Sequence, residues 1–268
     1  MTRFFGPRRL NFIRLRKLKR YLFYSVGEIL LVVIGILIAF SIDNWNEARK
    51  DREKEQHILI QLKKEYQSNL VQIEEKISTR EAMINASHQV LNYIDDPARV
   101  NRDSLMARLA LLLNDPTFDP IVNDLFVSGN IRLIQNEELK GLLTNWSSEV
   151  IAVQEVEKRW AKLVDELIVP SYAEMGIARD ALDVLYRSDN PAPFALEKPE
   201  RSMRRLGMSS RPPGLEKILT SGRFEGIVSV SIGLNNSANL QSQVLKRRIV
   251  NILRLIDQEI ETQEGQGR

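Results

Sequence analysis

The 268-residue chain contains no cysteine. Disulfides, thiolate nucleophiles, iron–sulfur clusters and cysteine-ligated zinc are thereby excluded. Histidine is almost as scarce. His57 and His88 are the only two, and neither sits in an H-E-x-x-H or comparable ligand spacing, so both read as solvated surface residues. No G-x-S-x-G elbow, Walker loop or G-x-G-x-x-G turn occurs. The acidic pairs Glu74 and Glu75, Asp95 and Asp96, and Glu137 and Glu138 read as solvated faces or helix caps. No cofactor, no bound metal and no enzymatic activity are expected. Proline and glycine are missing from 36 to 96, which leaves nothing to break a helix there.

Acidic residues are missing from the first 20 positions, which hold eight bases: Arg3, Arg8, Arg9, Arg14, Arg16, Lys17, Lys19 and Arg20. Removing those eight charges from the net +3 leaves −5 for residues 21–268. A basic cluster that abuts an apolar run points to anionic lipid and away from nucleic acid. The run itself occupies residues 21–45, with Ile29 to Phe40 unbroken apolar or glycine. From Tyr24 to Trp45 a helix is roughly 31 Å long, close to the ~30 Å hydrocarbon layer. Tyr21, Tyr24 and Trp45 stand at its two ends, where aromatic belts lie, and Arg16, Lys17, Lys19 and Arg20 flank it.

Eight Lys/Arg precede the span and six follow within residues 43–65, where they interleave with acids. The positive-inside rule therefore predicts a cytoplasmic N-terminus and a main domain outside the cytoplasm. Good helix continues past the apolar run, which argues against a cleaved signal peptide even though residues 39–41 loosely resemble a cleavage site. Glu28 has a sharp reading, an intramembrane carboxylate with a partner, and a bland one, a side chain that reaches the headgroups or the tail cations. Gly35 and Ala39 form a small-xxx-small pair that would let two spans approach closely.

Two stretches, GEILLVVIGILIA at 27–39 and IDNWNEARK at 42–50, resemble the signature of an uncharacterised family of single-span bacterial membrane proteins, abundant in the Bacteroidota, that carries a domain of unknown function. The stretch LFVSGNIRLIQNEEL at 125–139 and the closing pattern at 215–224 before a long terminal helix are similar to recurring blocks of that family. The resemblance implies topology and architecture, and no mechanism.

Beyond the span the pattern is all-α: a transmembrane helix continuing into a long helix, then an extracytoplasmic helical bundle. The expected division is a basic tail at 1–20, the span at 21–45, a juxtamembrane helix at 46–96, a bundle at 97–187, a Pro-rich basic loop at 188–213 and C-terminal helices at 214–268. Leu70, Ile77, Ile84 and Leu91 recur every seven residues. Tyr66, Ile73 and Ile94 fill intervening positions, where Arg80 and Ser87 are polar, so the seam reads as a coiled coil or bundle contact with defects. Asp103 reads as the cap of a helix over 104–113, and 121–128 as a short helix closed by Gly129 at positive φ. Asn136 reads as the cap of a helix ending before Pro170. One more helix is expected at 172–186, another at 215–220, and a last one from Glu225 or Gly226 to about Thr262 that packs antiparallel to the first and returns the C-terminus toward the membrane.

Trp146 and Trp160 share a helical face and read as core aromatics, or as the wall of a ligand pocket. Arg201, Arg204, Arg205 and Arg211 form a basic patch on the loop. These features suit a membrane-anchored interaction or scaffold protein at the bacterial inner membrane, with the lipid bilayer and either a protein partner or a second copy as partners. The alternative is a ligand-sensing module that acts through a partner membrane protein.

Overall fold

The computed structural model describes the backbone of residues 8–121, Leu125, 127–187 and 205–266, with side-chain exposures from Tyr24 onward. Its elements are α1 (Arg8–Asp95), α2 (Arg102–Leu111), α3 (Glu137–Leu163), a π-helical turn (Val164–Ile168), α4 (Val169–Met175), α5 (Ala178–Arg187), α6 (Leu215–Leu219) and α7 (Gly222–Gln266), with 3-10 turns at Pro97–Arg99 and Asn130–Leu133. No strand occurs among the described residues, so Ile227 to Ile232 is helical despite its alternation. Contacts divide the chain into two units, Met1–His57 and Ile58–Arg268.

In the first unit α1 carries the apolar run with its side chains on the surface, from Val26 to Ile42. Among the described residues α1 is the one helix long and apolar enough to cross a membrane. Trp45 is exposed, and the Arg49 guanidinium lies 5.9 Å from the centre of its ring, within cation–π range.

The second unit is built on three long helices. Buried positions on α1 are Leu59, Leu62, Tyr66, Asn69, Ile73, Ile77, Arg80, Met83, Ser87 and Val90. On α3 they run Leu139, Leu143, Trp146, Val150, Val153, Glu157 and Trp160, and on α7 Val228, Ser231, Asn235, Ala238, Ser242, Leu245, Ile249, Ile252 and Ile256. Steps of three and four keep one stripe of each helix facing the others. Cross-helix pairs fix the directions. Lys63–Asp257, Lys246–Glu74 and Arg80–Ser242 set α1 antiparallel to α7, as the sequence predicts. Arg248–Glu149 and Asn136–Glu259 set α3 antiparallel to α7 as well. Tyr66 and Trp146 meet edge to face at 5.0 Å, a geometry that adds about 0.5–1.5 kcal/mol beyond the area buried.

The seam on α1 is shifted from its sequence reading. Ile73 and Ile77 are buried, but Leu70, Ile84 and Leu91 are only half-buried at its margins, while Arg80 and Ser87 sit at its centre. What look like defects are as enclosed as Ile73.

Other boundaries also move. Asn101, not Asp103, caps α2 by accepting from the Ser104 N–H at 2.8 Å; Asp103 lies in the first turn. Of the helix expected over 121–128, residues 122–124 and 126 lie outside the described residues; Ile121 is not helical, and Leu125, Val127 and Ser128 lie in turns. Gly129 has φ 71, as expected of the residue closing that turn. Asn136 does cap α3, accepting from the Leu139 N–H at 2.9 Å, with Glu137 and Glu138 in the first turn complementing the dipole. The helix does not stop before Pro170. Proline lacks an N–H and its ring crowds the carbonyl four residues back. Here the π turn Val164–Ile168 widens the helix just ahead of Pro170, and it runs on to Met175. Gly176, at φ 77, then separates α4 from α5 where a single helix over 172–186 is expected.

Candidate functional site

The most unusual chemistry in the second unit is an ion pair at the centre of the bundle. Arg80 on α1 and Glu157 on α3 are 0 % and 2 % exposed and in direct contact. Arg80 donates through Nη1 to Ser242 Oγ at 2.8 Å and to Asn239 Oδ1 at 3.5 Å, and through Nη2 to the Pro116 carbonyl at 2.7 Å as well as to Glu157. The second Glu157 oxygen accepts from the Phe118 N–H at 3.1 Å. Asn239 in turn donates to the Ile77 carbonyl at 3.3 Å. Only Arg80 Nε has no partner. Burial draws the Arg80 guanidinium below its ordinary value, against the pull of Glu157. Burial likewise pushes the Glu157 carboxyl up, against the pull of Arg80 and the Phe118 N–H. Each partner is thus harder to charge here than in water, and the pair holds together through its hydrogen bonds.

This polar layer divides the core. On one side lie Leu59 to Ile77 of α1, Leu139 to Val153 of α3 and Leu245 to Ile256 of α7. On the other lie Met83 to Val90, Trp160, Leu163 and Phe224 to Val228, together with α2, α4 and α5 residues. The layer also holds the segment after α2. Asn69 brackets Ile121, accepting from its N–H at 2.8 Å and donating to its carbonyl at 3.1 Å. Gln72 brackets Asp119 in the same way, at 2.9 Å each. Gln154 donates to the Phe118 carbonyl, and Trp160 Nε1 to the Asn114 carbonyl at 3.2 Å. Residues 114–121 form no regular element, so these side chains satisfy backbone groups that would otherwise be buried unpaired. The polar atoms of the layer that have partners spend them on packing.

A second cluster holds the described part of the basic loop. Asp183 Oδ1 accepts from the Gly207 N–H and Asp180 Oδ1 from the Ser209 N–H, both at 2.7 Å. Arg102 bridges Asp180 to the Pro213 carbonyl, and Arg179 donates to the carbonyls of Leu206 and Gly207. Arg205 and Arg211 are exposed; Arg201 and Arg204 lie outside the described residues. Burial opposes ionisation of Asp183, but the Gly207 N–H and the Arg187 guanidinium outweigh it and hold the carboxyl below its ordinary value. The unfolded chain therefore takes up this proton at higher pH than the folded one. The clamp's contribution is complete above the ordinary carboxylate range and is lost as pH falls through the lower folded-state value. Hydrogen exchange checks this: the Gly207 amide is expected to be protected at neutral pH and to open as pH falls through the lowered Asp183 value, while core amides of α3 stay protected. Asp183→Ala should open the Gly207 amide at neutral pH.

The residues singled out in the sequence fall into four groups. Arg16, Lys17, Lys19, Arg20 and Tyr21 lie in α1, with side chains outside the described set; Tyr24 and Trp45 are exposed. Glu28 shares a surface recess of α1 with Ser25, Ile29, Val32 and Val33, while Gly35 has open space around it and Ala39 is exposed. Trp146 and Trp160 are core residues on opposite sides of the polar layer. His57 and His88 are exposed, and no group of three metal-ligating side chains occurs among the described residues. Sequence reading missed Glu157 altogether and took Arg80 for a flaw. The available signal was that each occupies a seam position of its own helix and that the two carry opposite charge.

The apolar run and the α1 seam up to α2 are also where likeness to known proteins is found. Residues 28–114 match the model of a family of unknown function, DUF6090. That match takes in Glu28, the exposed apolar face and Arg80, and stops before Glu157, the turn at Gly129 and α7. No curated protein and no solved structure matches the chain.

Proposed function

We propose that the protein is a membrane-anchored helical scaffold or adaptor of a bacterial inner membrane, with a cytoplasmic N-terminus and residues 58–268 in the periplasm. The observation that carries this reading is the make-up of α1. One helix holds both an exposed, apolar run long enough to cross a bilayer and the seam residues of the bundle. Eight bases and no acid ahead of that run support the orientation. The inward turn of the buried charges supports a role in presenting surface rather than in chemistry. Span residues Glu28, Gly35 and Ala39 would then face lipid or a second span.

Crosslinking in intact cells, followed by mild extraction and mass spectrometry, tests the role. A scaffold gives reproducible products with itself or a partner, and a chain that crosslinks to nothing is not one. The lack of cysteine makes orientation testable in the same cells. Ser78→Cys should react with a membrane-impermeant maleimide once the outer membrane is permeable, and Thr2→Cys only after lysis; the reverse pattern overturns the topology.

A further inference from the structure

Beyond its first turn, which holds Arg223 and Glu225, α7 runs for twenty residues without charge. Residues 226–245 read GIVSVSIGLNNSANLQSQVL, with no Asp, Glu, Lys or Arg in twenty positions, although such residues make up 27% of the chain. The next sixteen positions hold seven: Lys246, Arg247, Arg248, Arg254, Asp257, Glu259 and Glu261. Burial does not account for the difference. One stripe of this stretch packs inward, but the opposite stripe faces out, with Val230 50 %, Leu240 72 % and Val244 50 % exposed and Gly226, Gly233 and Ser237 open beside them. A solvated helix face is ordinarily charged; this one is apolar and small over five turns.

The neighbouring face of α1 shares the character. Between Ile77 and Ile94 its only charged residues are Arg80, which is buried, and Glu81. A groove runs between the two helices, lined by Glu81, Asn85, Asn236, Asn239, Leu240 and Gln243. Ile84 completes the lining, and Asn85, Asn236 and Gln243 put amides into it, which both donate and accept, so it can pair with a copy of itself.

We propose that this α1–α7 face is where a second copy of the chain docks. The outer stripe of α7 carries no charge and meets its own copy without the like-charge repulsion that a two-fold contact would otherwise impose; Glu81 is the one exposed charge on the α1 side. Gly233 and Ser237 let the two α7 helices approach closely, and Val230, Leu240 and Val244 supply the apolar contact. The extent suffices. Twenty helical residues are about 30 Å long and two helices about 20 Å wide, which gives roughly 600 Å² per copy. About 1,200 Å² in all is the lower end of a specific interface. Glu81 stands among amides able to donate to it. This inference names a surface for the scaffold role and rests on that reading, but the two fail separately.

The test uses the full chain in its native membrane and exploits the absence of cysteine. Single cysteines at Val230, Gly233, Ser237, Leu240 and Val244 are compared with Lys158→Cys and Arg254→Cys, on exposed positions away from the face. Mild oxidation, or a short bis-maleimide, is expected to give dimer at the α7 positions and not at the controls. Ser237→Arg, added to Leu240→Cys, should lower the dimer yield at least about tenfold while leaving the unfolding midpoint unchanged. Equal yields at all positions mean random collision and overturn the proposal. Products with a different protein at these positions overturn the second copy and leave the scaffold reading standing. No product of either kind at any position overturns both.

Discussion

Arg80→Met is expected to cost about 3–5 kcal/mol of bundle stability, and Glu157→Leu about as much, because each leaves its partner charged, buried and alone. The double substitution should be far milder than either sum suggests. With both charges gone, no desolvation penalty remains, and two apolar side chains fill the layer between the halves of the core. Burial works against the charged form of both partners, so removing both gives up little. Recovery should still be incomplete. The Phe118 N–H and the Pro116 carbonyl lose their partners, and unpaired buried backbone groups cost about 1–3 kcal/mol each. The double variant is therefore expected roughly 2 kcal/mol below the parent, with a coupling of several kcal/mol in the cycle. Urea unfolding of the full chain in a fixed detergent, followed by circular dichroism, gives all four values. Singles that cost under about 1 kcal/mol, or a double equal to their sum, would mean that the contact is not made in solution.

The same pair marks the limit of what the sequence discloses. Helix content was legible because the cues are local: no breaker from 36 to 96, caps such as Asn136, heptad spacing on the long helices. The antiparallel return of α7 followed from there being two long amphipathic helices to bury. What failed depends on partners far along the chain. Arg80 reads as a flaw until a carboxylate 77 residues on is placed beside it. The segment 114–121 has no periodicity to read, because side chains of Asn69, Gln72 and Gln154 satisfy its backbone in place of a helix or sheet. Pro170 reads as a stop because the rule assumes an α-helical turn, and the π turn before it removes the clash. The uncharged stretch 226–245 stands in the sequence as composition. Only the packing shows that its outer stripe is exposed and not a second buried side.

Trp160→Ala is expected to destabilise the bundle more than Trp146→Ala, although the two share a helix and a face. Each side chain is almost wholly buried, and truncating a buried tryptophan costs about 3–5 kcal/mol in lost contacts and cavity. Trp160 also donates from Nε1 to the Asn114 carbonyl at 3.2 Å, which anchors the start of the segment that Arg80 and Glu157 hold. Losing that donor orphans a buried carbonyl and adds about 1–3 kcal/mol. Trp160→Phe separates the parts: most of the packing survives and the hydrogen bond does not, so it should cost only about 1–2 kcal/mol. Trp146 has its principal neighbour in Tyr66, edge to face, and Trp146→Phe keeps an aromatic partner there, so its cost should be smaller still. The two tryptophans stand on opposite sides of the polar layer. With Trp45 replaced by Phe in every background, fluorescence of each Phe variant then reports one half of the core at a time. If the layer couples the halves into one cooperative unit, the two signals fall at the same urea concentration in the parent background, and they separate once Arg80 is replaced. Coincident transitions in both backgrounds would show that the apolar contacts alone bind the halves together, and that the ion pair is a passenger in the seam.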